Sequence, residues 1–252
     1  MNGVLATYDD ASCDELRVRS GASQVIALEH CTSTMDITHQ LAADGAPHAT
    51  VVVANGQGAG RGRSGKVWQS ASGAGVWTSV LLRTPADAPP GVLSLRVGLA
   101  LAESLDAYAD AAIQVKWPND LLLRGRKLAG VLTEARWRGD VLEWIVVGVG
   151  VNVRHAVLDG ESATLGSEAR PSAVLVDIVR AVLVAATAQG ELTAAEVSGF
   201  AARDFSVGKA VVEPLDGIVL GVSARGGVRV RTASGDAVAV SGSLVFRHLT
   251  SE

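Results

Sequence analysis

The sequence predicts an α+β protein in which helices pack on a mixed, largely antiparallel sheet, with a small β-barrel at the C-terminal end. Four strand-like runs follow one another closely, at residues 113–117, 120–123, 127–136 and 141–147. Such spacing is typical of hairpins in an antiparallel sheet. Beyond Lys209, five short strand-like runs recur at turn-like intervals, a pattern typical of a small barrel.

Hydrophobic periodicity predicts the remaining elements. Apolar residues at helical spacing indicate four helices, over residues 33–43, 92–108, 174–186 and 194–205. Apolar, largely β-branched runs indicate three more strands, over residues 25–28, 50–54 and 76–82. Ser33 is a suitable N-cap for the first helix, because its hydroxyl can accept a hydrogen bond from a first-turn backbone N–H.

The predicted elements divide the chain into three parts. Residues 1–22 show neither the helical nor the strand spacing of apolar residues, so we expect a flexible N-terminal arm. Residues 23–206 carry most of the apolar pattern and form the main domain. Residues 207–252, after a junction at Val207 and Gly208, form the barrel.

Composition narrows the class of protein. Hydrophobic residues make up 48% and charged residues 19% of the chain, which supports a core and carries no signature of disorder. The net charge of −4 argues against a general nucleic-acid binder. We find no signal peptide and no apolar stretch near the ~20 residues that span a bilayer, and two isolated cysteines suit a reducing compartment. We therefore expect a soluble, cytoplasmic protein.

A glycine-rich segment is the first feature that points to chemistry. Residues 55–75 contain seven glycines, and Arg61, Arg63 and Lys66 lie within six positions. Free backbone N–H groups and fixed cations suit phosphate and carboxylate oxygens; a solvated hairpin is the alternative. The segment is neither a Walker A loop nor a dinucleotide fingerprint. Trp68, at its end, can stack on a base or cover the loop.

Two further segments carry polar residues at strand ends. Residues 116–120 read Lys-Trp-Pro-Asn-Asp and form a turn between strands. Lys127 opens the next apolar strand, so it either extends toward solvent or points at an anionic ligand. A later apolar strand contains Gly148 and Gly150 and reaches Asn152. Those glycines allow either close approach by a ligand or tight packing.

In this order and at these separations, the three segments resemble the catalytic domain of biotin protein ligases. That family shows G-R-G-R-x-G-[RK]-x-W, then K-W-P-N-D with a nearby R-K-[LIV]-x-G, then G-x-G-x-N. The resemblance covers roughly residues 23–249. It implies a class II synthetase-like biotin/ATP catalytic domain over 23–206 and an SH3-like domain over 207–252. It also implies a short form without an N-terminal DNA-binding domain, since few residues precede the first core strand.

The resemblance implies an enzyme that uses ATP and Mg²⁺ to activate biotin as biotinyl-5′-AMP. Biotin then passes to a lysine of a biotin carboxyl carrier domain. Monomer and homodimer are both compatible with the sequence, and neither DNA nor membrane is an expected partner. Two alternatives stay open: a lipoate or octanoate ligase of the same superfamily, and a non-enzymatic module that binds nucleic acid or peptide.

The resemblance also implies residue roles. It assigns biotin binding to Ser33, Thr34, Gln57, Arg61, Arg63 and Lys127. The first three match residues that hydrogen-bond the ureido ring, and Arg61 assists through its backbone. Arg63 and Lys127 match cations that hold the biotin carboxylate and the developing adenylate phosphate.

A second set is assigned to ATP and the adenylate: Arg61, Arg63, Lys66, Trp68, Asn119, Lys127 and Asn152. Asn119 and Asn152 match ligands on the adenine and phosphate side, and Trp68 matches an aromatic that packs beside adenine. The implied catalytic residues are Arg63, Lys127 and Asp120. Asp120 resembles a carboxylate that aids Mg²⁺ handling or deprotonates the acceptor lysine.

Three departures from the family pattern concern the ring contacts and the charge of the loop. Met35 stands where the family usually has Asn, Ser64 stands where a basic residue is common, and Lys66 replaces Arg. Lysine is a point donor and cannot make the two-pronged contact of a guanidinium. The loop is therefore expected to be less cationic than is usual, while Arg63, Lys127 and Asp120 are retained.

Overall fold

The structure, a computed structural model, describes residues 2–83, 89–154 and 162–247. Its helices are α1 (Cys13–Ser20), α2 (Thr34–Ala43), α3 (Pro90–Leu105), α4 (Pro171–Ala185) and α5 (Ala194–Arg203). Its first ten strands are β1 (Asn2–Leu5), β2 (Thr7–Tyr8), β3 (Ala11–Ser12), β4 (Gln24–Cys31), β5 (Thr50–Gln57), β6 (Gly75–Leu82), β7 (Gln114–Lys116), β8 (Asp120–Leu123), β9 (Arg126–Arg138) and β10 (Val141–Asn152). The predicted helices and strands are therefore present, with shifted ends.

An eight-stranded mixed sheet forms the body of the protein, in the order β1-β4-β5-β6-β10-β9-β8-β7. β4 and β5 pair in parallel, and every other neighbouring pair is antiparallel. This confirms the predicted α+β class with a largely antiparallel sheet. β9 and β10 are the longest strands of this sheet. They bring residues 126–130 beside residues 148–152.

Helices cover both faces of the sheet, which is why its central strands are apolar on both sides. All eight residues of β6 are buried. Its Val80 and Leu82 belong to the main core with α3 and α4, while Leu81, on the opposite face, packs with Met35 of α2. In the described ranges no helix combines the length and the apolarity that crossing a bilayer requires.

The expectation of a flexible arm over residues 1–22 is wrong for its described part. β1 pairs with β4 at the edge of the main sheet, and β2 and β3 form a hairpin. α1 begins with a capping box in which Ser12 and Glu15 bond each other's backbone N–H groups. Leu16 of α1 is fully buried in the core. These elements are short, so they carry little periodicity, although the Ser-x-x-Glu signal was present in the sequence.

A separate antiparallel sheet forms the C-terminal region, as the sequence predicted. Its strands are β11 (Ala210–Glu213), β12 (Gly217–Val222), β13 (Val228–Thr232), β14 (Gly235–Ala239) and β15 (Val245–Phe246), in the order β14-β13-β12-β11-β15. The indole N–H of Trp117 donates to the carbonyl of Gly226 at 2.9 Å. Phe205 meets Phe246 edge to face at 5.7 Å between centroids. These contacts hold the C-terminal sheet beside the turn that carries Asn119 and Asp120.

Candidate active site

One cavity brings the predicted residues together. It has a volume of about 200 Å³ and lies between the start of α2, the glycine loop (residues 58–74), and strands β8, β9 and β10. Ten of the eleven predicted site residues line it: Ser33, Thr34, Gln57, Arg61, Arg63, Lys66, Trp68, Asn119, Asp120 and Lys127. The glycine-rich segment 55–75 is regular at its ends, because β5 runs to Gln57 and β6 begins at Gly75.

A network of neutral hydrogen bonds forms one end of the cavity. The Gln57 side-chain oxygen accepts from the Thr34 backbone N–H at 2.8 Å and from the Thr34 hydroxyl at 3.1 Å. The Gln57 amide nitrogen donates to the hydroxyl of Ser70 at 2.8 Å. The Thr34 hydroxyl also lies 2.8 Å from that of Ser79, which sequence reasoning had missed. Because a backbone N–H can only donate, these bonds fix which way the Gln57 amide faces.

Ser33 occupies the N-cap position of α2, but its hydroxyl does not cap the helix, so that prediction is wrong. The hydroxyl oxygen is buried and has no hydrogen-bond partner among the described residues. A buried hydroxyl without a partner is unfavourable by about 1–3 kcal/mol. Ser33 lines the cavity, so a polar ligand there could supply the missing bond.

Arg63 is a cation of the glycine loop that, like Lys66, forms no ion pair with the described residues. It begins a short 3₁₀ turn, Arg63–Gly65, in which Ser64 has a left-handed φ of 54°. In the described part of the chain, its guanidinium has neither a hydrogen-bond nor an ion-pair partner. Burial lowers the pKa of Arg63, and the nearby Asp120 carboxylate opposes that shift. Since a guanidinium stays protonated at neutral pH, the cavity contains an uncompensated positive charge.

Lys127 provides the second cation, from the opposite wall. Its ammonium lies 2.7 Å from a carboxylate oxygen of Asp120 and 5.0 Å from the centroid of the Trp68 ring. Lys116 was not predicted as a site residue. It lies directly opposite Asp120 in the register of β7 and β8. Burial lowers the pKa of Lys116; Asp120 opposes the shift, and Lys127 and Lys66 add to it. The Asp120 carboxylate therefore interacts with Lys127, Arg63 and Lys116, and this excess of positive charge suits a bound anion.

The motif glycines form a flat seat for Trp68. Gly130 and Gly150 are direct partners across β9 and β10. A Cβ atom at Gly150 would lie 2.7 Å from the Trp68 indole nitrogen, and one at Gly130 would lie 2.9 Å from its ring. At Gly148, a Cβ atom would lie 2.7 Å from the sulfur of Met35. The glycines are thus required by close packing of the loop tryptophan and of α2 against the sheet.

Gly150→Ala is expected to push Trp68 off this seat, because Cβ contacts below 3.0 Å do not occur. The free energy of unfolding should change by less than about 1 kcal/mol, since the displaced side chain belongs to a loop. The contribution of Trp68 to the emission is the difference between each protein and its Trp68→Phe form. In Gly150→Ala this contribution should lie further to the red than in the parent protein. Gly91→Ala, where nothing lies within 4 Å of the added methyl, is the control. An unshifted Trp68 emission would show that the seat is not needed.

Two predicted polar residues mainly tie strands together. The Asn119 amide donates to the carbonyl of Val131 at 2.8 Å, and Asn119 also lines the cavity. The Asn152 amide donates to the carbonyl of Lys127 at 3.3 Å, and Asn152 is absent from the described residues that line the cavity. The structure therefore brings Asn152 to the backbone of Lys127 but not into the cavity that the other predicted ATP residues line. It lies two residues further along β10 than Gly150, which Trp68 covers.

Arg61 was assigned a backbone contact to biotin and a place among the ATP residues, and its side chain is engaged elsewhere. Its guanidinium pairs with Asp36 at 2.7 Å and with Glu134 at 2.6 Å. Those partners occupy the guanidinium on both sides. Its backbone carbonyl and N–H remain part of the loop beside the cavity.

Comparison with known proteins places the chain in a family. The model for the biotin/lipoate A/B protein ligase family matches residues 27–152, which is half of the chain. The bifunctional ligase/repressor BirA of Bacillus subtilis is 37% identical over 149 residues, covering 56% of this chain and 46% of that protein. The biotin--[acetyl-CoA-carboxylase] ligase of Mycobacterium tuberculosis is 40% identical over 144 residues, covering 54% and 52%. The chain thus spans about half the length of these curated relatives.

Solved structures share the fold. A biotin protein ligase from Aquifex aeolicus, in complex with biotin and ATP, superposes with a TM-score of 0.74 at 23% identity. The superposition covers 90% of this chain and 100% of that one. The fold extends beyond the region matched by the family model, and the matched region contains all of the motifs that build the cavity. The chain belongs to the biotin/lipoate A/B protein ligase family.

Proposed function

We propose that the protein activates biotin with ATP to give biotinyl-5′-AMP, and then transfers biotin to a lysine of a biotin carboxyl carrier domain. One observation carries the proposal. Arg63 and Lys127, from a loop and a strand that are distant in sequence, line the same cavity as the polar Thr34–Gln57 network. A neutral polar end and a cationic end within one cavity suit a ring ureido group joined to a carboxylate.

In the first step, an oxygen of the biotin carboxylate attacks the α-phosphorus of ATP. A carboxylate–phosphorus bond forms, the bond to the bridging oxygen of the diphosphate breaks, and diphosphate leaves with its electron pair. The step brings two anions together, and their repulsion at ~4 Å amounts to about 4 kcal/mol in a site of intermediate dielectric. Arg63 and Lys127 would offset this repulsion and stabilise the charge of the transition state. The protein needs no nucleophile of its own.

The cavity offers Mg²⁺ few protein ligands. Asp120 is the one carboxylate among the described residues that line the cavity, and no cluster of three metal-binding side chains occurs in the described ranges. Mg²⁺ in nucleotide sites is usually held by one or two carboxylates together with the substrate phosphates. Asp120 would be its protein ligand, and the ion would supply charge neutralisation of the phosphates.

In the second step, the amine of an acceptor lysine attacks the acyl carbon and AMP leaves, which forms an amide. Trp68 and the glycine loop cover the cavity, so they would shield the mixed anhydride from water until the acceptor arrives. Asp120, which lines the cavity, would accept the proton that the amine loses. We assign both steps to residues 23–206, with Ser243 of the C-terminal region contributing to the wall of the cavity.

Transfer can be tested directly. Incubating the protein with ATP, Mg²⁺, biotin and a carrier domain should add one biotinyl group to the carrier, as read by mass spectrometry. Replacing biotin with lipoate should give no adduct. An adduct with lipoate alone would instead favour the lipoate ligases that share the family model.

Ser33→Ala should separate ligand binding from stability. Because the Ser33 hydroxyl is buried without a partner in the described structure, its removal should leave the free energy of unfolding unchanged or raise it. Loss of a hydrogen bond to the ligand should raise the KM for biotin by roughly tenfold. Ser206→Ala is a matched control, since that hydroxyl is also buried and unpartnered but lies outside the cavity. Equal KM values for the two variants would remove Ser33 from the binding site.

A further inference from the structure

The Arg61 side chain connects the glycine loop to two elements outside it. One guanidinium nitrogen lies 2.7 Å from Asp36, in the first turn of α2. The other lies 2.6 Å from Glu134, in β9. Residues of both α2 and β9 line the cavity. A single side chain therefore fixes the loop to both walls at once.

Glu134 is itself held in place, so it can serve as a fixed attachment point. Its second oxygen lies 3.1 Å from Nε2 of His39. The Trp144 indole N–H donates to Nδ1 of His39 at 3.0 Å. Because an indole N–H can only donate, Nδ1 accepts, and in a neutral ring Nε2 carries the proton and donates to Glu134. Both Glu134 oxygens are thus engaged, one by His39 of α2 and one by Arg61 of the loop.

Backbone hydrogen bonds transmit this attachment to the residues over the cavity. Arg61 and Val67 form an antiparallel bridge, and the N–H of Trp68 donates to the carbonyl of Gly60 at 2.8 Å. The N–H of Gly62 donates to the carbonyl of Lys66 at 2.8 Å. The segment from Gly60 to Trp68 is therefore one compact hairpin. Fixing Arg61 fixes the position of Arg63 two residues on and of Trp68 opposite.

We propose that Arg61 is a positioning residue that latches the glycine loop over the cavity through Asp36 and Glu134. Its side chain retains the activated intermediate and does not contact phosphate. This inference rests on the proposed function for the identity of the intermediate, but the latch itself depends only on the contacts described. It divides the loop cations by role: Arg61 is neutralised outside the cavity, whereas Arg63 keeps its charge for the ligand.

The test uses Asp36→Asn, Glu134→Gln and the double variant, none of which alters a residue assigned to the reaction. Two partly exposed ion pairs together shift an open–closed equilibrium by roughly fivefold. Trypsin should therefore cut the ligand-free double variant after Arg63 or Lys66 roughly fivefold faster than the parent protein, with intermediate rates for the single variants. Asp110→Asn is the matched control, because it removes an exposed pair with Arg124 that lies away from the loop.

The second readout is retention of the intermediate. After adenylate formation and rapid removal of free ligand, the double variant should release biotinyl-5′-AMP roughly fivefold faster than the parent protein. High salt, on the order of 1 M, should speed cleavage of the parent loop toward the rate of the variants. Equal cleavage and equal retention in all four proteins would overturn the latch. Faster cleavage without any adenylate in the parent protein would leave the latch standing and remove the proposed function.

Discussion

Arg63→Ala is expected to slow formation of the adenylate by roughly 10²- to 10³-fold, the usual loss when one preorganised charge is removed from a transition state. The prediction rests on the absence of any partner for the Arg63 guanidinium in the described structure, together with its half-buried position in the cavity wall. A guanidinium that is already paired with a carboxylate would stabilise a developing phosphate charge less. The rate is measured as release of diphosphate in a single turnover.

Two further variants make this result specific. Arg63→Lys keeps the charge but loses the planar fork, so it should recover only part of the rate. Arg124→Ala removes an arginine from an exposed ion pair outside the cavity and should leave the rate unchanged. If Arg63→Ala turned over at the parental rate while remaining folded, the loop would have no electrostatic role in the reaction.

Lys127→Met should produce a loss of similar size, for two reasons. The variant removes the second cation from the cavity, and it deprives the Asp120 carboxylate of the ammonium that lies 2.7 Å from it. A bare carboxylate close to the α-phosphate repels it. Single-turnover diphosphate release should fall by roughly 10²- to 10³-fold.

The double variant Lys127→Met/Asp120→Asn separates these two contributions. If repulsion from the bare carboxylate outweighs the loss of a Mg²⁺ ligand, neutralising Asp120 should recover roughly tenfold of the rate. Asp120→Asn alone tests its other proposed role, acceptance of the proton of the acceptor lysine, and should slow transfer more than adenylation. Identical rates for Lys127→Met and the parent protein would exclude Lys127 from the chemistry.

The sequence could predict most of the site because its motifs lie at the ends of neighbouring strands. β5 leads into the glycine loop and β6 leaves it, while β9 and β10 bring Lys127 and the G-x-G segment side by side. The strands themselves are marked by apolar runs in the sequence. Once those strands pair, Arg63 and Lys127 must lie near each other. Convergence is therefore a consequence of topology as much as of the motif residues.

What the sequence could not supply is the direction of individual side chains. Arg61 pairs with Asp36 and Glu134, which are 25 and 73 residues away in the chain. Nothing local distinguishes those carboxylates from others on the surface. Ser33 has the right identity and backbone conformation for an N-cap, yet its hydroxyl makes no capping bond. Asn152 continues the glycine strand but lies beyond the part that faces the cavity. In each case, tertiary contacts override the local preference.

The glycine pattern shows the same division. Gly148 and Gly150 were recognised as positions of close approach, with ligand contact and packing both open. The structure shows that protein side chains approach them, Met35 at the first and Trp68 at the second. The third partner, Gly130, became apparent only from the register of β9 against β10. Periodicity identifies a strand, but pairing decides what lies above it.

The most direct measurement of the central claim is isotope exchange between diphosphate and ATP without any carrier protein. If the cationic end of the cavity joins a biotin carboxylate to the α-phosphate, exchange should require biotin, saturate with it and disappear when biotin is replaced by lipoate. Exchange that is absent with biotin, or that proceeds equally without it, would contradict the account, because the cations at Arg63 and Lys127 would then serve some other ligand.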